Sequence, residues 1–598
     1  MTVRLGGWHL SDLLFSERQT DSLFKEVYIS GSKVYFYQDI TFIQTSLLTE
    51  HSCKAPAVPN YNSSLWVRRV IGCSEEYPGH YRARDSEERP EEIKSRTNTM
   101  AESLCRVKYT RRIFPANGPE QKKTTKLSIL DASVARFAPC SAIWLYDRAE
   151  KADAHDPLLF EHFEKALKQT LNDFPHFSGQ LRWTTKESVE RDSDPSYIGR
   201  PVVEYGAGGG PGVELVVAEA SRKLSAIVPS HEERNTVKQV WIASGFPQDE
   251  YQAKTKLAFA NLAEFEVAHS WAAHSRLLFG DQSPDTAQII SASPLFDPSQ
   301  LDQHANLKAD EFKPDPEMID KARSLPMHRY DWWAVDAPGF PSWAEASTRG
   351  TMPPAEELAV LKLSPATFPP WPTWDMAAPV EHVQIRFRAE ALAKMKRAAE
   401  TSLPESLSGQ RVSRLDAALA HIWILINRAR QHQHTQNPVY LDITLGLRNR
   451  VEPPLPDNFA GSPLLLTYVD KPGSEVSTAT IGAIAGSIRE TMSRFTPDAV
   501  SSYIHDTSFE LSPPRLWQAF LGTNHTLVTS WVRARAYEVD FCANGRLARY
   551  VQGVMPRLDG LVQVIDITDT GHFDIDVYLE KGVSAALLND PMLKAYGL

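Results

Sequence analysis

Periodic apolar positions predict regular secondary structure from about residue 127 onward. Cys140–Tyr146 is a short apolar run with several β-forming residues, which predicts a buried strand. Pro157–Asp173 places its apolar side chains at helical spacing, so it predicts an amphipathic helix that ends at Phe174-Pro175. Gly206–Gly212 has a proline where a dinucleotide-binding fingerprint needs its third glycine. A turn between two strands is therefore favoured there over a phosphate loop.

The second half of the chain repeats this mixture of strands and helices. Val380–Ala389 is strand-like and Ala389–Thr401 is helical. Ser413 and Asp416 form a capping box at the start of a long apolar helix. Strands and helices mixed in two similar halves predict an α+β fold with a sheet in each half. Further strands are predicted at Val439–Leu445, Leu527–Ala534, Gly560–Asp566 and Phe573–Leu579.

Residues 1–99 differ in character from the rest. Tyr81–Glu102 is crowded with charged residues and shows no apolar period, which is typical of a solvated linker. Two interpretations stay open, a poorly ordered extension or a mis-annotated upstream start with Met100 as the natural initiator. The second is favoured, because recognisable fold signals begin only after Met100. The predicted domains are therefore 100–378 and 379–598.

Composition narrows the class of protein. A chain of 598 residues is longer than a single compact hydrophobic core accommodates. Its contents of 42% hydrophobic and 23% charged residues are typical of a soluble globular protein. A net charge of −10 argues against a nucleic-acid partner, and no apolar run reaches membrane-spanning length. Five cysteines without metal-ligand spacing indicate reduced thiols and no metal site. We expect a cytoplasmic monomer that acts on small molecules.

Five separated segments carry short motifs in a fixed order. They resemble landmarks of the BAHD acyltransferases, especially the fungal branch that includes trichothecene 3-O-acetyltransferase-like enzymes. One such motif could arise by chance, whereas five in the family's order favour membership. The segments are Leu127–Asp131, Leu167–Leu181, Leu415–Trp423, Gly446–Arg450 with the following Pro453–Gly461, and Thr529–Trp531 with Asp540, Phe541 and Gly545.

The resemblance implies a fold and a reaction. The fold would be the two-domain chloramphenicol-acetyltransferase-like fold, with a mixed sheet and flanking helices in each half and a channel between the halves. Acyl-CoA, with acetyl-CoA favoured, would serve as cosubstrate, and no bound cofactor is expected. A histidine would deprotonate a hydroxyl or amine of a fungal specialised metabolite, and hydrogen-bond donors would stabilise the tetrahedral oxyanion.

Several site residues follow from the same resemblance. Thr529 and Trp531 match family positions that line the channel near the oxyanion, and the alternative of a strand residue and a core tryptophan stays open. Arg448 and Arg450 match an arginine pair, one of which pairs in the family with the aspartate of its HxxxD motif. The family's DFGWG motif, which holds a loop, is represented by Asp540, Phe541 and Gly545.

The family's catalytic HxxxD motif is not found at its expected place. Of the 18 histidines, only His572 has an aspartate four residues later, on a late strand that in the family lies far from the channel. The flanks of the expected segment instead meet directly at Glu266 and Val267. A gene-model error, a natural loss that leaves a non-catalytic binding protein, and a substitute base at His269 or His274 remain open, in that order of preference. Loss of an interior strand also predicts a poorly stable chain.

Overall fold

A computed structural model of the chain describes most of residues 105–597 and two short strands before them. The described residues are 34–36, 41–46, 105–134, 141–147, 157–183, 201–207, 210–220, 223–236, 240–242, 263–307, 314–330, 370, 373–375, 377–510, 516–541, 547–553, 555 and 557–597.

The first part of the chain forms several small sheets and the helices that cover them. Its strands are β1 (Val34–Phe36), β2 (Thr41–Ser46), β3 (Cys105–Ile113), β4 (Lys123–Lys126), β5 (Ser141–Tyr146), β6 (Gln180–Trp183), β7 (Pro201–Tyr205), β8 (Val213–Ala220) and β9 (Val240–Ile242). Its helices are α1 (Ile129–Val134), α2 (Pro157–Asp173), α3 (His231–Thr236), α4 (Ala263–Leu278), α5 (Pro284–Ser291), α6 (Ser299–Asp302) and α7 (Pro316–Arg323).

The second part supplies most of the largest sheet. Its strands are β10 (Val380–Phe387), β11 (Pro438–Gly446), β12 (Leu464–Pro472), β13 (His525–Ser530), β14 (Tyr550–Gly553), β15 (Leu561–Asp566) and β16 (Phe573–Glu580). Its helices are α8 (Ala389–Thr401), α9 (Arg414–Ala429), α10 (Gly473–Thr478), α11 (Ile481–Ser493), α12 (Pro497–Ser508) and α13 (Lys581–Asn589).

The largest described sheet has seven strands in the order β12-β11-β13-β15-β16-β10-β9. β13 runs parallel to both β11 and β15, and the other pairs are antiparallel. One face of this sheet packs on helices such as α9, whose Trp423 is 1% exposed. The predicted capping box of α9 is present, with the Ser413 hydroxyl accepting from the backbone N–H of Asp416. A mixed sheet with flanking helices confirms the predicted α+β class.

The two halves exchange strands. β14, from the second half, pairs with β5 in a sheet of the first half. In return β9, from the first half, extends the seven-stranded sheet by pairing with β10. Each half therefore contains one strand from the other part of the chain. The predicted domain boundaries, between residues 99 and 100 and between residues 378 and 379, stay predictions.

Residues before 100 also take part in the first-half sheet, which has the order β1-β2-β5-β14. β2 pairs with β5 over six residues, on the opposite side from β14. At β1 and β2 the chain is therefore paired in a sheet, while the interpretation of residues 1–99 as a poorly ordered or mis-annotated extension stays a prediction. The sequence Thr-Phe-Ile-Gln-Thr-Ser is rich in β-forming residues, and it satisfies backbone groups of β5 that would otherwise lie at a sheet edge. The rest of residues 1–99 lies outside the described part of the chain.

A buried ionic network joins α3 to the seven-stranded sheet. Arg386 donates from Nε and Nη2 to the two carboxylate oxygens of Asp574, each at 2.7 Å. Arg234 of α3 donates to Asp574 Oδ2 at 3.1 Å, and the Tyr537 hydroxyl donates to the same oxygen at 2.6 Å. All four side chains are buried. Because buried charges are tolerated only when paired, this network fixes how the halves meet.

Among the helices that the structure describes, none combines the length and apolar character needed to cross a bilayer.

Candidate active site

The candidate site lies on the face of the seven-stranded sheet that is turned toward the first half. Side chains alternate along β13, so Val528 points into the core under the helices while Thr529 points the other way. Thr529 is half-buried and faces Gln563 across the parallel β13–β15 pair. The predicted channel residue Thr529 therefore lies on the surface where the two halves meet.

Trp531 closes one end of this surface. Its ring is 6% exposed and packs edge-on against Phe265 of α4, with 4.7 Å between ring centroids. Phe265 in turn packs edge-on against Trp144 of β5 at 6.2 Å. Trp531 thus serves as a buried wall shared by both halves. The ring therefore belongs to the core, and the role of Trp531 in lining the channel stays a prediction.

Gln563 was not singled out by sequence reasoning, yet it is the neighbour of Thr529 with unused hydrogen-bonding capacity. Its Oε1 accepts from the backbone N–H of Gly553 at 3.0 Å, which fixes the orientation of the side-chain amide. The amide nitrogen Nε2 is buried and has no partner among the described residues. A buried donor without a partner is rare and marks a candidate functional group. No motif contains Gln563, so only the strand pairing could have found it.

Gly553 makes this arrangement possible. A Cβ at residue 553 would lie 2.3 Å from Gln563 Nε2 and 2.7 Å from the ring of Trp531. Such distances are sterically forbidden, so only glycine allows β14 to approach both side chains.

Arg448 and Arg450 have separate surroundings. Arg448 Nη2 donates to the backbone oxygen of Phe459 at 2.7 Å and to Glu266 Oε1 of α4 at 3.2 Å. Arg450 instead donates to the backbone oxygens of Met492 and Phe495, at 2.8 and 3.1 Å. Arg448 therefore links the two halves through a carboxylate of α4, whereas Arg450 stabilises a turn within the second half.

Glu266 carries a strongly perturbed carboxyl group. Its side chain is 36% exposed but one carboxyl oxygen is buried, and this desolvation raises the pKa to about 7, a rise that the nearby Arg448 opposes only in part. The oxygen Oε2 is buried and has no hydrogen-bond partner among the described residues. Glu266 and Val267 are both inside α4, so the helix is continuous across the point where the family's HxxxD segment was expected.

The motif at Leu127–Asp131 meets the motif that ends at Gly461. Asp131 accepts from the Ser128 hydroxyl at 2.6 Å and from the backbone N–H of Ser462 at 2.7 Å. Burial raises the pKa of Asp131 to about 6. Two motifs more than 300 residues apart are thereby joined by one buried carboxyl group.

Phe541 packs the loop after Trp531 against the first half, and the loop-holding role of its motif stays a prediction. Its ring is buried and packs edge-on against Trp271 and Phe163, at 5.2 and 5.8 Å. The backbone oxygens of Asp540 and Phe541 accept from Arg276 and Ser275 of α4. Gly545 lies outside the described residues.

The histidines considered as bases serve other contacts. His269 makes a hydrogen bond with the backbone oxygen of Ala534, and burial lowers its pKa to about 4. His274 pairs with Asp173 at 3.0 Å. His572 Nδ1 accepts from the first backbone N–H of α8 at 3.0 Å, and its motif partner Asp576 is bound by His382 at 2.7 Å. The hydrogen bonds of these three histidines therefore go to residues other than Thr529 and Gln563.

Comparison with known proteins gives a consistent picture. Residues 341–588 match the sequence profile of a family described as the Transferase family. The chain is 25% identical over 528 residues to acyltransferase AFT15-1 of Alternaria alternata, covering 81% of this chain and 96% of that protein. It is 22% identical to acyltransferase abl6 of Leptosphaeria maculans, covering 81% and 97%.

Solved structures show the same fold. Crystal structures of F. graminearum TRI101, one with Coenzyme A and Deoxynivalenol and one with Ethyl Coenzyme A, superimpose with TM-scores of 0.51 and 0.52. The alignments cover 79% and 80% of this chain and 99% of each TRI101 chain, at 14% and 13% identity. These likenesses show the predicted two-domain acyltransferase fold.

Proposed function

Because this chain is a member of the BAHD acyltransferase family, we propose that it transfers an acyl group from acyl-CoA to a hydroxyl or amine of a fungal specialised metabolite, with acetyl-CoA as donor. The TRI101 structures, which hold Coenzyme A together with Deoxynivalenol or T-2 mycotoxin, support a CoA thioester and a small fungal acceptor by analogy. The names of the curated relatives support acyl transfer as the reaction.

One observation carries the proposal. Thr529 and Gln563 are in register on the sheet face where the halves meet, and the buried amide nitrogen of Gln563 has no partner among the described residues. Two adjacent donors on a water-poor surface suit an oxygen that gains negative charge during reaction. We assign Thr529 and Gln563 to the oxyanion and Trp531 to the wall that shields it from water.

The reaction balances without a further reagent. The acceptor oxygen or nitrogen attacks the thioester carbonyl carbon, and the carbonyl oxygen becomes the oxyanion held by Thr529 and Gln563. The tetrahedral intermediate then breaks its C–S bond. A general base moves the acceptor proton to the departing CoA thiolate. We assign that base to none of the residues discussed above, and the segment 243–262 that precedes α4 lies outside the described residues.

The second candidate function is a non-catalytic relative that binds a ligand or partner. It is favoured by one observation, the unbroken course of α4 through Glu266 and Val267. The genomic DNA between codons 266 and 267 distinguishes the two. An intron-like insert encoding HxxxD supports the enzyme, and continuous coding sequence supports the non-catalytic relative.

The enzymatic proposal is tested by release of free CoA from acetyl-CoA with a panel of hydroxylated fungal metabolites. Thr529→Val and Gln563→Leu should each lower kcat by about 10²-fold or more, as expected for loss of an oxyanion donor. Thr526→Val is the matched control, because Thr526 lies on the same strand but on the opposite face. Equal activity of all three variants would contradict the assignment of Thr529 and Gln563 to the oxyanion. The proposed function would be contradicted if a chain with the HxxxD segment restored between residues 266 and 267 showed no turnover.

We further propose that the protein acts as a cytoplasmic monomer without nucleic-acid or membrane partners. The net charge of −10 and the ordinary globular composition support this. Light scattering coupled to size-exclusion chromatography should give the mass of one chain, and a dimer mass would contradict it.

A further inference from the structure

A second polar cluster lies on the same sheet face, at the other end of β11 and β13. The Asp442 carboxylate lies between two imidazoles, with Oδ1 2.6 Å from His328 Nε2 and Oδ2 2.8 Å from His525 Nδ1. One potential ligand atom from each of the three residues lies within 4.8 Å of the other two. We call these three residues the His-Asp-His cluster.

The fold explains why the three residues meet. Tyr440 of β11 is in register with His525 of β13, and Asp442 follows two residues later on the same face. His328 comes from the connector after α7. The backbone oxygen of Pro326 in that connector accepts from the backbone N–H of Tyr468 at 3.1 Å, which holds the connector against β12. Two residues of the cluster therefore lie on strands, and the third lies on a connector that a backbone hydrogen bond holds against the sheet.

Aromatic rings hold both imidazoles in place. Tyr440 stacks on His525 with 4.7 Å between centroids, and Tyr468 stacks on His328 at 4.4 Å. Phe520 packs edge-on against His328 at 5.2 Å. Rings fixed in this way present their nitrogens at a defined point, as preorganised ligands require.

The buried negative charge of the Asp442 carboxylate favours a bound cation. The Asp442 and His525 side chains are each 2% exposed and the His328 side chain is 7% exposed. The hydrogen-bond partners of Asp442 among the described residues are the two imidazoles, which are neutral when they act as metal ligands. A buried carboxylate is unfavourable without an opposite charge. Two imidazoles and one carboxylate form a donor set that Zn²⁺ commonly takes in proteins.

We propose that the His-Asp-His cluster binds one divalent transition-metal ion, with Zn²⁺ as the ion that its donors fit. The ligands are His328 Nε2, His525 Nδ1 and the carboxylate of Asp442. Thr529 is four residues beyond His525, about 13 Å along the strand. The metal is therefore separate from the acyl-transfer surface, and it ties the connector after α7 to the sheet. This adds a site that the cysteine spacing, which predicted no metal, could not indicate.

The test uses the tag-free full chain after treatment with a chelator. Titration with Co²⁺ should give visible absorption bands of a low-symmetry site that saturate at one ion per chain, and Zn²⁺ should displace them. Asp442→Asn should weaken Zn²⁺ binding by about 10-fold or more, since even substitutions outside the ligand set cost that much. His434→Ala removes an exposed histidine and should leave binding unchanged.

Because Asp442→Asn could also disturb folding, His328→Gln provides a second variant in the connector. Thermal unfolding of the unmodified chain should shift upward with added Zn²⁺, and that shift should vanish in His328→Gln. Failure of the unmodified chain to take up one equivalent of metal would overturn the proposal. The proposal would also be overturned if Asp442→Asn and His328→Gln bound Zn²⁺ as tightly as the unmodified chain does. The cluster would then be a hydrogen-bonded network only.

Discussion

Arg448 and Glu266 form an ion pair between the halves, with 3.2 Å separating Nη2 and Oε1. Arg448 and Arg450 match a family arginine pair, one of which pairs with the HxxxD aspartate that is not found at its expected place in this sequence. In this chain Arg448 contacts the carboxyl group of Glu266 on α4, directly at the junction of the two motif flanks. The guanidinium thereby has a carboxyl partner, although Glu266 itself is left with one buried oxygen that has no described partner.

Glu266→Gln should change how stability depends on pH. Burial raises the pKa of Glu266 from the ordinary 4.5 to about 7, so the folded state keeps a proton that the unfolded state releases. The contribution to stability is therefore fully present below about pH 4.5 and is lost as pH rises to about 7. Urea unfolding between pH 4.5 and pH 7.5 should show this decline in the original chain and a flatter profile in the variant.

The matched control for that experiment is Glu490→Gln, an exposed residue at the end of α11. Its pH profile should follow that of the original chain. A profile for Glu266→Gln that is as steep as the control would show that this carboxyl group does not hold its proton in the folded state.

Asp574→Asn should be strongly destabilising. The substitution leaves Arg386 and Arg234 buried without their shared carboxylate, which typically costs about 3–5 kcal/mol. Burial alone would raise the pKa of Asp574, but the two guanidinium groups hold it well below its ordinary value. The corresponding stability is present above about pH 3.8 and is lost as pH falls further toward the folded-state pKa.

Chemical denaturation near neutral pH measures the loss in Asp574→Asn, and an acid titration of the original chain measures the pH effect. Asp569→Asn, on the turn before β16, is the surface control and should change stability by less than about 0.5 kcal/mol. A similarly small change in Asp574→Asn would contradict the importance of the ionic network.

Removal of residues 1–99 should destabilise the protein and promote aggregation. The deletion removes β2 and exposes the edge of β5 along six paired residues. Removal of residues 1–33 is the matched control, because it leaves β1 and β2 in place. Thermal unfolding and size-exclusion chromatography compare the two. If the chain that starts at Met100 is as stable as the full chain, the interpretation of Met100 as the natural initiator is favoured instead.

Gly553→Ala should impair both stability and acyl transfer. The added methyl group would collide with Gln563 Nε2 and the Trp531 ring, and such overpacking typically costs about 1–3 kcal/mol. Gly446→Ala, at the end of β11, is the control because a Cβ there meets no atom within 4 Å. Denaturation and CoA release should both distinguish the two variants, and equal behaviour would contradict the close approach of β14.

Local patterns predicted local elements well. The helices Pro157–Asp173 and Ala389–Thr401 have the bounds that apolar spacing indicated, because both present one apolar stripe to a core. The strand predicted over Leu527–Ala534 is wrong at both ends, since β13 is His525–Ser530. Arg533 has a positive φ of 78°, which a strand does not allow, so the chain turns after Trp531.

Local sequence patterns could not predict the contacts between distant residues that form the candidate site. Glu266 and Arg448 are 182 residues apart, and Gln563 is brought beside Thr529 only by strand pairing. The same holds for the His-Asp-His cluster, whose members come from three segments without any motif spacing. Sequence periodicity reports which face of an element is buried, but it does not report which distant element covers that face.

The strand order β1-β2-β5-β14 has a consequence for protein synthesis. Its members come from residues 34–46, 141–146 and 550–553, so one sheet holds segments from the beginning and from near the end of the chain. Domains usually fold one after another as the chain leaves the ribosome. Here the first sheet cannot close until nearly the whole message has been translated. Until then β2, already synthesised, can pair with one edge of β5, whereas the edge that pairs with β14 stays open.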